Sequence, residues 1–419
     1  MTARRLTAVD AQTYWMSYAV PSDQFLLFAF GPGTTGLGDA LGAVRDRARA
    51  CEDLGLRIDE SGFWTYPTWA SREVGQDQFV VHALDGPTWQ GCLNAVSALA
   101  ADQLDTRLLT WRLHVFPGVE GLPRVTGSGT VAALQISHAL ADGIRGSALA
   151  ARLLGRDGDV PAVVPTRRPR AAMPVLAVAA ARAHRKLVRD TESGLVPPQA
   201  FPRPVLRTNR RPEGDRQLRT VVCERREVRG PTVTVGVLAA IATALAAHLR
   251  ELGDDPSQLG AEVPMAKSGP RLSNNHYGNV GVGLHPDAEF GLRVHLIAAE
   301  LAARRRRAAH PAMRAEDAAF AAVPAPLLRW GVKQFDPTVR WETAIGNTVV
   351  SSVNRGAGDL RFGDAPVVLT TALPALSPMM GVTHGVHGIG DTVTVSVHAA
   401  ESSIGDIDAY VGRLAGELR

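Results

Sequence analysis

The sequence is poor in several things, and each shortage excludes something. It has three cysteines, Cys51, Cys92 and Cys223, far apart and forming no CxxC. That excludes a disulfide framework and a cysteine-built zinc site, and it fits reduced thiols. Lysine is almost missing: Lys186, Lys267 and Lys333 are the only ones among 45 basic residues. An arginine-rich, alanine-rich chain of this kind fits a GC-rich bacterial genome, so the formal charge of +4 says little about partners. Aromatics make up 5% of the chain, too few to interleave basic residues with stacking platforms, so nucleic acid is set aside. No run of some twenty apolar residues marks a transmembrane helix. The opening residues, MTARRLTAVDAQTYW, lack the apolar core of a secretory signal. The expectation is a cytoplasmic protein, with membrane contact at most peripheral to the inner face.

What is present is enough to fold. The chain has 419 residues, 45% hydrophobic and 21% charged. That length exceeds one ordinary core and predicts two lobes. Residues 1–160 alternate helix-like and strand-like patterns. A Pro- and Arg-rich stretch, 161–215, reads as the connection between lobes, with one helix-like piece, VLAVAAARAHRKLVRD, inside it. Residues 216–419 hold a long apolar helix, TVGVLAAIATALAAHLREL, several strand-like segments and a closing amphipathic helix. MMGVTHGVH and DTVTVSVHA bracket the turn Gly388–Asp391, a hairpin signal. The order predicts α/β structure of the α+β kind, with mixed sheets rather than a doubly wound parallel sheet.

The chemistry concentrates in LQISHALADGIRG, residues 134–146. An apolar strand ends at His138, and Asp142 and Gly143 follow. An imidazole near neutrality can take a proton from an alcohol or amine and return it to a leaving group. A strand end holds such a ring better than a mobile loop does. Asp142 suits a salt bridge that fixes the loop, with Arg355 or Lys267 as the partner. Gly143 allows a sharp turn or a close approach. Taken alone, one histidine after a strand is more often structural than catalytic.

Other segments change that balance. LTAVDAQTYW, the block from TWRLHVFPG to ALADGIRG, VPMAKSGPRLSNNHYGNVGVGLHP and NTVVSSVNRGAGDLRFGDAPV fall in a fixed order over nearly the whole chain. Together they resemble the bacterial wax ester synthase / diacylglycerol acyltransferase family. That family belongs to the CoA-dependent acyltransferase superfamily, with chloramphenicol acetyltransferase and peptide-synthetase condensation domains. The chain reads as a divergent member. The family motif carries two histidines before xxxDG, and here Ser137 takes the place of the first. Thr234 and Val235 stand where the family has Asn-Asp before its long second-half helix, and Thr234 could cap that helix. Asn354, Arg355 and Gly356 replace a Pro-Gly-Pro turn.

The resemblance implies two chloramphenicol-acetyltransferase-like lobes with a tunnel at their interface and His138 near its middle. His138 would act as general base on an acceptor alcohol attacking an acyl thioester, with Asp142 in a scaffolding role. Ser137, Gly143, Asn279, Ser351 and Ser352 are candidates for lining the tunnel or donating to the oxyanion. No bound cofactor and no metal are expected, and acyl-CoA or an acyl carrier protein thioester would be a co-substrate. The acceptor would be a lipid alcohol or diacylglycerol, or a polar secondary metabolite. The lost first histidine and the missing Pro-Gly-Pro favour the polar version. Condensation with a carrier-protein-bound donor, forming an amide, is a further possibility, and a non-catalytic binding partner is another. A monomer suffices, because two lobes already build the tunnel. His384 and His387 should point to opposite faces of a strand, poor geometry for a metal. His114 and His398 read as ordinary strand residues. The run Arg304–Arg307 reads first as a solvated helix face, with CoA phosphates or an anionic membrane as alternatives.

Overall fold

The computed structural model describes residues 4–60, 62–164 and 172–418. Part of the Pro- and Arg-rich stretch, 165–171, lies outside the described residues. Two six-stranded sheets dominate the fold. In the first, the strand order is Arg361–Phe362, Ala365–Leu373, Gln24–Phe30, Ser128–Ile136, Trp111–Glu120 and Phe79–Val81. All its pairs are antiparallel except the last. In the second, the order is Tyr277–Gly283, Gly260–Ala266, Thr348–Asn354, Val382–Ile389, Thr392–Ala400 and Arg216–Glu224. Here Thr348–Asn354 runs parallel to both neighbours and the other pairs are antiparallel. The mixed-sheet expectation holds, and the hairpin at 388–391 forms as read, turning through Gly390 at φ 53°.

Each sheet buries its strands because they are rich in β-branched and apolar residues. Alternation along Gln24–Phe30 sends Leu26, Phe28 and Phe30 to one core, and Phe25, Leu27 and Ala29 to another on the opposite face. The helix Trp89–Leu99 covers the second of these faces. The helices Leu37–Arg49 and Gly143–Leu153 cover the first. In the second lobe, Val233–Glu251 is apolar all round and therefore buried all round, with Ile407–Leu418 packed beside it. By length and composition Val233–Glu251 could cross a membrane, yet most of it lies inside this core. Its N-cap is Thr232, whose hydroxyl accepts from Val235 N at 3.2 Å. Thr234, the expected cap, sits in the first turn instead and hydrogen-bonds Ser352 at 2.8 Å.

The second half of the sequence does not stay in the second sheet. Ala365–Leu373 pairs with Gln24–Phe30, placing Thr371 opposite Leu27. Leu369 and Leu373 are buried in the first lobe by this pairing. This crossover strand also packs against Val382–Ile389 and Thr392–Ala400, so it joins the two lobes. The stretch 161–215, expected to connect the lobes, includes a 20-residue helix, Met173–Glu192. The arginine run helps to hold the connection in place. Arg304 donates to Gly281 O and Pro198 O, and Arg307 to Thr191 Oγ1 and Pro197 O. Only Arg305 and Arg306 keep the solvated position expected for the whole run. Cys51, Cys92 and Cys223 are all buried.

Candidate active site

The strand Ser128–Ile136 ends in a tight turn. Ser137 N donates to Thr110 O at 2.9 Å, and Ser137 O accepts from Leu140 N at 3.0 Å. The Ser137 hydroxyl accepts from Ala139 N at 3.3 Å, so the side chain is used inside the turn. Asp142 then caps the helix Gly143–Leu153, with Oδ1 accepting from Arg145 N at 2.9 Å. Its Oδ2 accepts from Arg271 Nη1 at 2.8 Å and from His276 N at 2.9 Å. Asp142 is thus the bridge expected of it, but its partner is Arg271 and neither Lys267 nor Arg355. Lys267 pairs with Asp317 at 2.6 Å, and Arg355 lies elsewhere between the lobes. Burial alone would raise the Asp142 pKa. Hydrogen bonds from Arg271, Arg145 N and His276 N, with the Arg271 charge, hold it below the ordinary carboxylate value.

The bridge pins the loop before Tyr277–Gly283 against the histidine turn. Asp10, from the helix Ala8–Met16, pins the same loop from the other side. It accepts from Asn274 N at 3.0 Å, Asn275 N at 3.1 Å, Asn275 Nδ2 at 3.1 Å and Thr7 Oγ1 at 2.8 Å. Burial pushes the Asp10 pKa up, against the pull of these donors. All four contacts make the carboxyl an acceptor.

That acceptor decides the orientation of Asn275. Its Nδ2 donates to Asp10 and to His138 O at 2.8 Å, so its Oδ1 must face the imidazole. Oδ1 lies 2.6 Å from His138 Nδ1. An amide oxygen can only accept, so Nδ1 carries the proton and Nε2 keeps its lone pair. Tyr277 Oη lies 3.3 Å from Nε2 and donates to it. His138 is partly exposed as a residue, yet burial lowers its pKa. The Asn275 hydrogen bond and the Asp142 charge offset only part of that lowering. The ring is therefore neutral near pH 7, with Nε2 as its basic nitrogen.

Of the residues anticipated from the sequence, the structure brings His138, Asp142 and Gly143 together. A Cβ added to Gly143 would lie 3.3 Å from Val353 Cγ2, so the helix start approaches the second lobe closely. Asn279 is not at the histidine: it is exposed and donates to Glu262. Ser352 turns toward Thr234 on the helix side of its sheet. Ser351, next along the strand, shares the opposite face with Val353. Asp10, Arg271, Asn275 and Tyr277 were not anticipated. Thr7 and Asp10 look like an ordinary helix start, which hides the second role of Asp10.

Asp10→Asn should lower turnover by up to about a hundredfold, because an amide at position 10 weakens one of the two contacts that orient Asn275. The check is kcat with its pH profile. Unchanged kcat and an unmoved acid limb would remove Asp10 from the positioning chain.

Comparison with known proteins bears on the fold. No protein-family model matches the chain, and no curated protein matches it by sequence. Solved structures do match. A wax ester synthase/diacylglycerol acyltransferase from Marinobacter aquaeolei is 18% identical, with a TM-score of 0.65 over 99% of this chain and 98% of that one. A single-substitution variant of the starter condensation domain of rhizomide synthetase, in complex with C8-CoA, is 13% identical, with a TM-score of 0.59 over 100% and 95%. A variant of that domain, in complex with C8-CoA and Leu-SNAC, is 12% identical, with a TM-score of 0.58 over 100% and 93%. The chain therefore has the two-lobed fold that the wax ester synthase and these condensation domains share.

Proposed function

We propose that this chain is an acyltransferase in which His138 deprotonates an acceptor alcohol or amine that attacks an acyl thioester. The observation that carries this reading is the locked tautomer. Asp10 fixes Asn275, Asn275 accepts the Nδ1–H hydrogen bond, and Nε2 is left as the base of a partly exposed residue. His384 has both ring nitrogens bonded as well, but it is fully buried, whereas His138 is partly exposed at a turn that meets the second half of the chain.

The steps follow from that geometry. The acceptor displaces the Tyr277 hydroxyl from Nε2 and gives up its proton there as its oxygen or nitrogen bonds to the thioester carbonyl carbon. The carbonyl electrons move onto oxygen. The imidazolium so formed is favoured by the Asp142 charge, and Asp142 is held ionised by Arg271. Collapse of the tetrahedral intermediate breaks the C–S bond, and Nε2–H protonates the departing thiolate. Tyr277, released from Nε2, is a hydroxyl able to donate to the oxyanion. The donor is acyl-CoA or a carrier-bound thioester, in keeping with the neighbours that share the fold. Ester formation with an alcohol is the leading version, and amide formation with a carrier-bound donor is the alternative.

The test is thiol release from a panel of acyl-CoAs, offered with long-chain alcohols, diacylglycerol, polar alcohols and amines. Acceptor-dependent release supports the reading and identifies the acceptor class. No release from any pair, with carrier-bound donors included, would sink it.

The pH profile is a second expected outcome. Burial depresses the His138 pKa below 6.5, so the free base persists into mildly acidic solution. kcat/KM should reach its plateau below neutrality and fall only as pH drops through that depressed value. An inflection above pH 7 would mean that another group, or a charged His138, limits the reaction.

A further inference from the structure

Arg355 is a buried charge with little compensation. It is 5% exposed. Other buried arginines are well provided for. Arg145 pairs with Asp53, and Arg293 is surrounded by Thr243 Oγ1 and the carbonyls of His285, Pro286, Ala288 and Ala239. Arg355 forms no ion pair among the described residues. Its side chain makes one hydrogen bond, from Nη1 to Thr370 Oγ1 at 2.7 Å, and it lies 4.9 Å from the centre of the Phe28 ring. Nε is buried without a partner. Burial lowers the pKa of the guanidinium to about 9, which expresses the cost of keeping it there charged.

His387 sits beside it in the same condition. His384, three residues earlier, turns to the helix side and is satisfied by Thr348 at 2.8 Å and Tyr410 at 2.7 Å. His387 faces the other way, toward the first lobe, and is 4% exposed. Neither of its nitrogens makes a hydrogen bond among the described residues, and Nδ1 is fully buried. Burial and the neighbouring Arg355 charge keep the ring neutral. Two adjacent buried side chains that each keep a buried nitrogen without a hydrogen bond call for an occupant that fits them.

The place is near the reaction. Arg355 N donates to Gly388 O at 2.8 Å, extending the strand Thr348–Asn354 by one residue. Ser351, Val353 and Arg355 then share one face, and Val353 touches the helix start at Gly143. Because Nη1 is spent on Thr370, the edge left over is Nε with Nη2. Two parallel N–H groups on one edge match the two oxygens of a carboxylate.

We propose that Arg355, assisted by His387, is the carboxylate-recognition residue of the inter-lobe site, so that one of the two substrates is an acid. This rests on the acyl-transfer reading for which substrate is meant, but not for the binding itself. The acid sits on the acyl group or on the acceptor, and the chemistry at Arg355 is the same for both.

Two experiments test it together. Turnover is measured with carboxylated and methyl-esterified versions of one acceptor against a neutral donor, and of one acyl-CoA against a neutral acceptor. Wild type should prefer the acid over its ester in one of the two series by about a hundredfold in kcat/KM. In Arg355→Met that preference should collapse to within a few fold. In parallel, glutarate should raise the Tm of the wild type and not that of Arg355→Met, while its dimethyl ester moves neither. If Arg355→Met does not fold, Arg355→Lys serves, since it keeps the charge but loses the two-nitrogen edge. Equal use of acid and ester by the wild type in both series overturns the proposal, as does an acid preference that survives in the variant. Glutarate binding lost in the variant, with no turnover in any protein, would sink the acyl-transfer reading and leave the carboxylate site standing.

Discussion

His138→Ala should cut acceptor-dependent thiol release by about a thousandfold, within the range of 10²–10⁴ that a positioned general base contributes. The residue is well suited to a clean test. Its Nδ1 hydrogen bond goes to Asn275, and the Asn275 side chain keeps its other contacts, to Asp10 and to the backbone at 138, when the ring is removed. The loop should therefore stay in place, and the loss should fall on kcat rather than on folding. Binding and any oxyanion donor survive, so activity above the uncatalysed rate should remain. The measurement is single-turnover thiol release in both proteins, with thermal unfolding as the control for structure. Equal rates would mean that His138 is a satisfied strand-end histidine and that the chain keeps the fold without this chemistry.

Asp142→Ala should cost stability instead, by about 3–5 kcal/mol. The carboxylate and Arg271 have side chains only 4% and 9% exposed, so losing one leaves the other charged and largely buried. The same substitution uncaps the helix Gly143–Leu153, worth about 1 kcal/mol, and orphans His276 N. Asp142→Asn should cost less, because it keeps the shape and part of the hydrogen bonding. The acid dependence follows from the direction of the pKa. Asp142 is held below 3.8 in the fold, so its contribution is fully present above that value. It is lost as pH falls through the lower, folded value. Denaturant unfolding of both variants at neutral pH is the check. A loss below about 1 kcal/mol for Asp142→Ala would mean that Arg271 finds another partner and that the bridge is not what joins the loop to the turn.

Much of the fold could be read from local pattern. The histidine strand, the long apolar helix, the terminal hairpin and the closing helix each announce themselves by periodicity. The crossover strand was legible as a strand, APVVLTTALP, but not as a guest in the other lobe, because pairing partners leave no local trace. The site divides in the same way. His138 and Asp142 are visible because they share a short motif. Asp10, Arg271 and Asn275 come from segments far apart in sequence, and nothing in SNN or in a helix-start aspartate states that they meet. Arg355 was noticed for the wrong reason, as a partner for Asp142. Its isolation depends on which residues surround it in three dimensions.

The crossover strand also bears on how this protein is made. Thr370 and Leu27 meet across 343 residues, so the first sheet is incomplete until most of the chain has left the ribosome. Until then Gln24–Phe30 presents a bare, apolar edge with unpaired backbone groups, which invites pairing with other nascent chains. Such long-range closure is slow. Synthesis of the first half alone should give a sticky, unfinished lobe, and adding residues 361–373 in trans, as a separate peptide, is the natural way to complete it.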